Sequence, residues 1–249
     1  MPSHGRDVHG ATKAAECLSC YLKALCVPQG LSPDETALLD DLVFPPIRLE
    51  KREVLCVQEA PFDSLYAVRT GCLKQETAVE GAENLLTALW LPGDIIGCDA
   101  IGLGRYPGTV SALETATLCK LPFDQFEALT QRMPRLRRHL QRSISRAMHE
   151  ERLSLHQLLC RTAEARLAYF LLAVSACFHR RGYSSSHFRL PMSRNDIGSY
   201  LGLTQETVGR TLAAYQNRRL LRVHGREYQL LDIARLERLA SSTGRQKKL

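Results

Sequence analysis

Residues 191–230 read PMSRNDIGSYLGLTQETVGRTLAAYQNRRLLRVHGREYQL, and their spacing decides the architecture of the C-terminal part of the chain. Ser193 followed three residues later by Asp196 is a capping-box start to a helix; Ile197 and Leu201 share a face, and Gly202 ends the helix after two turns. Thr204 then caps a second helix, with Val208 and Leu212 turned inward. Two short helices joined by a Gly-containing turn predict a helix-turn-helix, whose second helix enters the major groove of DNA.

On that second helix Gln205, Glu206, Gly209 and Arg210 are expected on the outward, N-terminal face, where base-reading residues belong. Arg210 can bond guanine O6 and N7 together, and Glu206 can accept from a cytosine amino group while holding Arg210 across one helical turn. Gly209 costs about 1 kcal/mol of helix stability relative to Ala, so something is expected to approach the backbone there. Downstream, RLLRVHGREYQLL predicts a hairpin turning near His224–Gly225, a wing with Arg222 and Arg226 placed for phosphates.

Outside this motif the charge is divided. The 249 residues carry a net +7, but residues 1–133 hold 11 basic and 18 acidic side chains, a net −7, while 134–249 hold 22 and 8, a net +14. Most C-terminal cations are Arg, whose planar donors suit phosphates and guanine edges, so duplex DNA is the expected partner of that half. No run approaches the roughly 20 apolar residues of a membrane span, and the polar start MPSHGRDVHG lacks the apolar core of a signal peptide. A cytoplasmic protein without a membrane partner is expected.

Between the halves, from Pro134, runs a long Arg-rich helical pattern. Leu140, Ile144, Ala147, Glu151 and Leu158 recur at steps of four, three, four and seven, with Met148 and Leu155 alongside. So narrow a seam suits a coiled-coil partner, and a second copy of the chain is the simplest one. Glu151 stands where the seam wants an apolar residue, so two such carboxylates near a dimer axis would oppose association.

Upstream, residues 47–121 show short apolar runs punctuated by glycines at 71, 81, 93, 97, 102, 104 and 108, the pattern of a β-barrel or roll. Nine Cys in a cytoplasmic chain are not a disulfide set. Cys17, Cys20 and Cys26 lie C-x2-C-x5-C on a segment that otherwise reads as structureless. On spacing alone an iron–sulfur cluster, a zinc site and plain burial all stay open.

Taken together, CLSCYLKALCVP (17–28), SLYAVRTGCLK (64–74), LPGDIIGCDAIG (91–102), ALETATLCKLPF (112–123) and MSRNDIGSYLGLTQETVGR (192–210) resemble the FNR group of the CRP/FNR superfamily of bacterial transcription factors. The resemblance spans nearly everything from Cys17 to about Leu231. It implies an α+β chain: a tail and cysteine segment (1–30), a cyclic-nucleotide-binding-like β-roll (31–133), a dimerisation helix (134–160) and a winged helix-turn-helix with a basic tail (161–249). It also implies an oxygen-labile 4Fe-4S cluster on Cys17, Cys20, Cys26 and a fourth ligand, Cys119, with dimerisation and DNA binding lost when oxygen destroys the cluster. Glu151 matches the position of an acidic residue that opposes association of the cluster-free form.

Departures from the family pattern are informative. Glu206, Gly209 and Arg210 form E-x-x-G-R where E-x-x-S-R is more usual, which keeps the central bases of a TTGAT-like half-site and leaves the outer base open to a TGTGA-like choice. Tyr21 is a bulky neighbour of Cys20. In GCDAIGLGRYPGTV (97–110), Cys98 and Pro107–Gly108 stand where cAMP receptors place a Glu and an Arg-Ser pair, so no cAMP site is expected. Cys98 is also an alternative cluster ligand to watch. RNA polymerase is a further implied partner, contacted through Ala78–Asn84. Two rivals are a zinc or dithiol redox switch on the same architecture and an enzyme with a Cys nucleophile, which would need a His nearby.

Overall fold

The computed structural model describes residues 17–242, apart from 79, 80, 82, 83 and 161; the side chains of 150, 154 and 156–160 also lie outside the described set. The tails expected at the two ends fall outside it as well.

From Cys17 the described residues form linked turns rather than the structureless segment expected from sequence. Backbone amides of Cys20, Lys23, Leu25 and Gln29 donate to carbonyls three residues back, and Cys26 reaches Leu22. Leu22 and Val27 are buried, which anchors these turns. Helix α1 (Pro33–Asp40) follows, started by a capping box in which Ser32 and Glu35 satisfy each other's backbone amides.

The roll consists of two antiparallel four-stranded sheets. One runs β1 (Ile47–Leu49), β8 (Ala116–Pro122), β3 (Ser64–Thr70), β6 (Ile95–Ile96); the other runs β2 (Val54–Cys56), β7 (Thr109–Ala112), β4 (Leu73–Thr77), β5 (Leu85–Trp90). Period-two alternation assigns the faces of the central strands. Tyr66 and Val68 of β3, with Ala116 and Leu118 of β8, fill the space between the sheets. Leu65, Ala67 and Leu121 point the other way into a second core, closed by α1, by α2 (Phe123–Arg132) and by the start of α3.

Helix α3 runs from Pro134 to Cys160, and Arg135 on its first turn pairs with Glu35 of α1 at 3.6 Å. The C-terminal domain comprises α4 (Ala163–Arg180), β9 (His187–Arg189), α5 (Arg194–Leu201), α6 (Gln205–Asn217), β10 (Leu221–His224), β11 (Glu227–Leu230) and α7 (Ile233–Ser241). Its sheet order is β10-β11-β9, so the expected hairpin carries a third strand that the sequence pattern did not indicate. Among the described residues no helix is long and apolar enough to cross a membrane. The α+β class, a roll and a winged helix-turn-helix joined by a long helix, is as expected.

Candidate functional site

The helix-turn-helix forms by the local chemistry its sequence carries. Ser193 accepts from the Asp196 amide, and the Asp196 carboxylate accepts from the Ser193 amide at 2.8 Å. Gly202 ends α5 in the left-handed region, at φ 61°, where a side chain would be strained. Thr204 caps α6 by accepting from the Thr207 amide. Val208, Leu212 and Tyr215 are buried inward, and the Tyr215 hydroxyl donates to the Glu164 carbonyl at 2.5 Å.

Gly198 is a feature that the hydrophobic pattern did not single out. A methyl group there would stand 2.5 Å from the Leu203 carbonyl oxygen, so the two helices close on each other only because residue 198 has no side chain.

Gln205, Glu206 and Arg210 are exposed at the start of α6. Arg210 reaches Glu206 at 3.7 Å and Thr207 at 3.4 Å. An exposed pair of this kind adds little stability, so its value is in aiming the guanidinium. Gly209 is half-buried rather than fully outward, and the Arg194 guanidinium lies 3.5 Å from where its β-carbon would be. The group approaching the backbone at Gly209 is thus a cation from α5, which adds Arg194 to the basic surface beside Arg210. On the wing Arg222 is exposed and Arg226 half-buried.

Four of the cysteines, Cys17, Cys26, Cys98 and Cys119, gather on the outer face of the roll. Alternation along β8 sends Leu118 between the sheets and Cys119 to the outer core, where Cys17, Cys26 and Cys98 also pack. Burial, and then Asp40 next to it, push the Cys17 thiol far up; burial pushes Cys26 up to about 12 against a backbone hydrogen bond at Val27. Burial raises Cys119 too, opposed by Arg69. The four candidate ligands also act on one another: Cys26 and Cys119 on Cys17, Cys119 and Cys20 on Cys26, and Cys20 on Cys119.

Cys98, watched as an alternative ligand, is raised to about 12 by burial and then by Asp99, with no contribution from those four. Cys56 and Cys72 are buried in the cores. No three His, Cys, Asp or Glu among the described residues are grouped closely enough to hold a single metal ion.

The same outer core contains Leu136, and Leu140 packs against it. Leu140 therefore serves its own roll at the foot of α3. Further along the seam Ile144 is half-buried, while Ala147, Met148, Glu151 and Leu155 are exposed, Met148 at 51% and Leu155 at 57%. The Leu158 side chain lies outside the described residues.

At the stretch compared with cAMP receptors, Gln75 is buried and donates to Asp99 at 3.2 Å. A methyl group on Gly108 would stand 2.7 Å from the Gln75 side chain. Nearby Arg105 faces solvent and pairs with Glu59.

Comparison with known proteins agrees with this organisation. Residues 46–133 match the cyclic nucleotide-binding domain family, and residues 165–239 match the Crp-like helix-turn-helix domain family. The chain is 40% identical over 222 residues to the transcriptional activator protein FnrA of Stutzerimonas stutzeri, covering 89% of this chain and 91% of that one. It is 36% identical over 238 residues to the fumarate and nitrate reduction regulatory protein of Salmonella typhi, covering 96% and 95%. Among solved structures, FixK2 from Bradyrhizobium japonicum superposes with a TM-score of 0.72 at 26% identity, over 81% of this chain and 99% of that one. With both domains matched in order and such identity over most of its length, the chain belongs to the CRP/FNR family and, within it, to the FNR/Anr-type anaerobic transcription regulators, DNA-binding proteins rather than enzymes.

Proposed function

We propose that this protein is a cytoplasmic, homodimeric regulator that senses oxygen through a 4Fe-4S cluster held by Cys17, Cys20, Cys26 and Cys119. With the cluster intact it binds a palindromic TTGAT-like site. The observation that carries this reading is the shared outer core: Cys17, Cys26 and Cys119 border the hydrophobic cluster in which Leu136 and Leu140 seat the foot of α3. An all-thiol donor set, with each member within electrostatic reach of others, suits iron–sulfur ligation. Bound there, the cluster supplies an oxygen-labile redox centre.

The chain's own residues do the rest. Leu22 and Val27 pin the cysteine segment to the roll, and the outer core passes its order to the base of α3. The side of α3 that carries half-buried Ile144 and exposed Ala147, Met148 and Leu155 then meets a second copy, with Glu151 setting the balance, and two reading helices fall about one DNA turn apart. The hydrogen bond from buried Gln75 to Asp99 and the Gly108 contact support a roll that does not answer to cAMP. RNA polymerase is the expected further partner through Ala78–Asn84, of which residues 79, 80, 82 and 83 lie outside the described set.

The test is anaerobic reconstitution with iron and sulfide. The wild-type chain should take on the broad visible absorbance of a protein-bound cluster, and Cys17→Ser, Cys20→Ser, Cys26→Ser and Cys119→Ser should each lose it. Full absorbance and DNA binding in Cys119→Ser would remove the fourth ligand. Zinc retention with no visible absorbance in the wild type would establish the rival switch.

A further inference from the structure

One short turn of the roll, Leu91–Asp94, is gripped from two sides. It is closed by its own bonds: the Leu91 amide donates to the Asp94 carboxylate at 2.8 Å, the Gly93 amide to the Val68 carbonyl at 2.8 Å, and the Val68 amide to the Asp94 carbonyl at 3.0 Å. On one side lies the cysteine segment. Leu25, next to Cys26, packs so closely that its β-carbon is 3.1 Å from where a Gly93 side chain would begin. Tyr21, next to Cys20, donates its hydroxyl to the Arg69 carbonyl of β3 at 2.7 Å.

On the other side lies the end of α4. Arg181, its C-cap residue, is only 6% exposed in its side chain, and its guanidinium donates to the Asp94 carboxylate at 2.8 Å and to the Pro92 carbonyl. A third donation, to the Cys177 carbonyl at 2.9 Å, fixes the same guanidinium to the helix it comes from. Beyond Arg181, Phe178 contacts Tyr183 edge-on and stacks on Phe188 of β9, which stacks in turn on Tyr228 of β11. Asp94 is the counter-ion of this buried guanidinium, and losing it would leave a desolvated charge unpaired, so the end of α4 follows a displacement of the turn.

We infer that the Leu91–Asp94 turn couples the cysteine segment directly to the DNA-binding domain of the same subunit, with Arg181 as the positioning residue. This route bypasses the α3 seam and needs no second copy. It rests on the reading that the cysteine segment is the sensor, and it adds a second output: cluster loss would loosen α4 and β9, and with them the wing, even in a monomer.

The experiment uses full-length, anaerobically reconstituted protein carrying Ile144→Glu, confirmed monomeric by sedimentation. Amide hydrogen exchange is followed before and after air. Cluster loss is expected to raise exchange of both residues 91–94 and residues 176–190, by about tenfold, as local opening without global unfolding allows. Adding Arg181→Met should confine the rise to 91–94. An equal rise at 176–190 with Arg181→Met, or none there while residues 17–30 respond, would overturn the inference.

Leu25→Ala provides an arm that is independent of Arg181 and of air. It should raise exchange at 176–190 several-fold with the visible absorbance retained, and no rise would again overturn the coupling. If the wild-type chain never acquires that absorbance, the sensor reading has failed on its own, while the Leu25→Ala arm still decides whether the segment and the domain are coupled.

Discussion

Arg210, the proposed base-reading residue, and Gly198, which lets the two helices close, serve the helix-turn-helix in different ways. Arg210 is exposed and held loosely by Glu206 and Thr207, free to exchange those partners for a guanine edge. Arg210→Ala should cost about 1–3 kcal/mol at the cognate site and relax discrimination at one base pair, as measured by titrating duplexes that vary at each position. An equal loss on random-sequence DNA would mean that Arg210 meets only phosphate. Gly198 is buried; it permits α5 and the Leu203 backbone to close. Gly198→Ala should destabilise the C-terminal domain by about 1–3 kcal/mol, as overpacking against rigid backbone does, seen as a lowered urea midpoint with an unchanged slope. The capping residues Ser193 and Thr204 were legible in the sequence because caps are local chemistry. Gly198 was not, because its reason is a carbonyl oxygen five residues on that only the folded turn brings near.

At the scale of elements, α3 is where the proposed sensing and dimerisation meet. Its foot is committed to its own roll through Leu136 and Leu140, and the exposed seam side chains begin two turns later, at Ala147. The heptad spacing grouped Leu140 with the rest of the face but could not show that it packs on its own roll, since periodicity marks a face and not what covers it. In the cluster-free protein Glu151→Ala should raise the dimer fraction, and an unchanged sedimentation profile would refute the repulsion argument.

His139 lies in the same part of α3, and its pKa is lowered by burial and by Arg146 and Arg142. A His held neutral in the fold binds fewer protons than in the unfolded chain once the pH drops below its ordinary value. Stability should therefore be full above about pH 6.5 and decline below it towards the lowered folded value. His139→Gln should flatten that slope in denaturation curves taken from pH 7.5 to 5.5, and an unchanged slope would assign the pH dependence elsewhere.

For the whole molecule, the split of charge between the acidic and basic parts of the chain mapped function correctly, because the reading helix and wing lie in the basic part. It gave no sign that the two domains are fastened together. Lys74 of β4 pairs with Asp196 of α5 at 3.0 Å, the Leu86 amide of β5 donates to Ser199, and Arg189 pairs with Glu114. Cys72, Leu86, Leu91 and Leu113 of the roll belong to the same hydrophobic cluster as the core of the C-terminal domain. These contacts join residues tens of positions apart, and no local pattern announces them. The cysteine segment was likewise legible in its spacing and not in its placement, since Cys119 joins it through strand alternation alone.

The central claim is that the state of the cysteine segment governs DNA binding. It is tested most directly by following one anaerobically reconstituted sample, mixed with a fluorescent duplex bearing a palindromic TTGAT-type site, as air is admitted. Visible absorbance and duplex binding should fall together, with the Cys119→Ser protein lacking both from the start. Binding that persists after the absorbance has gone would contradict the account.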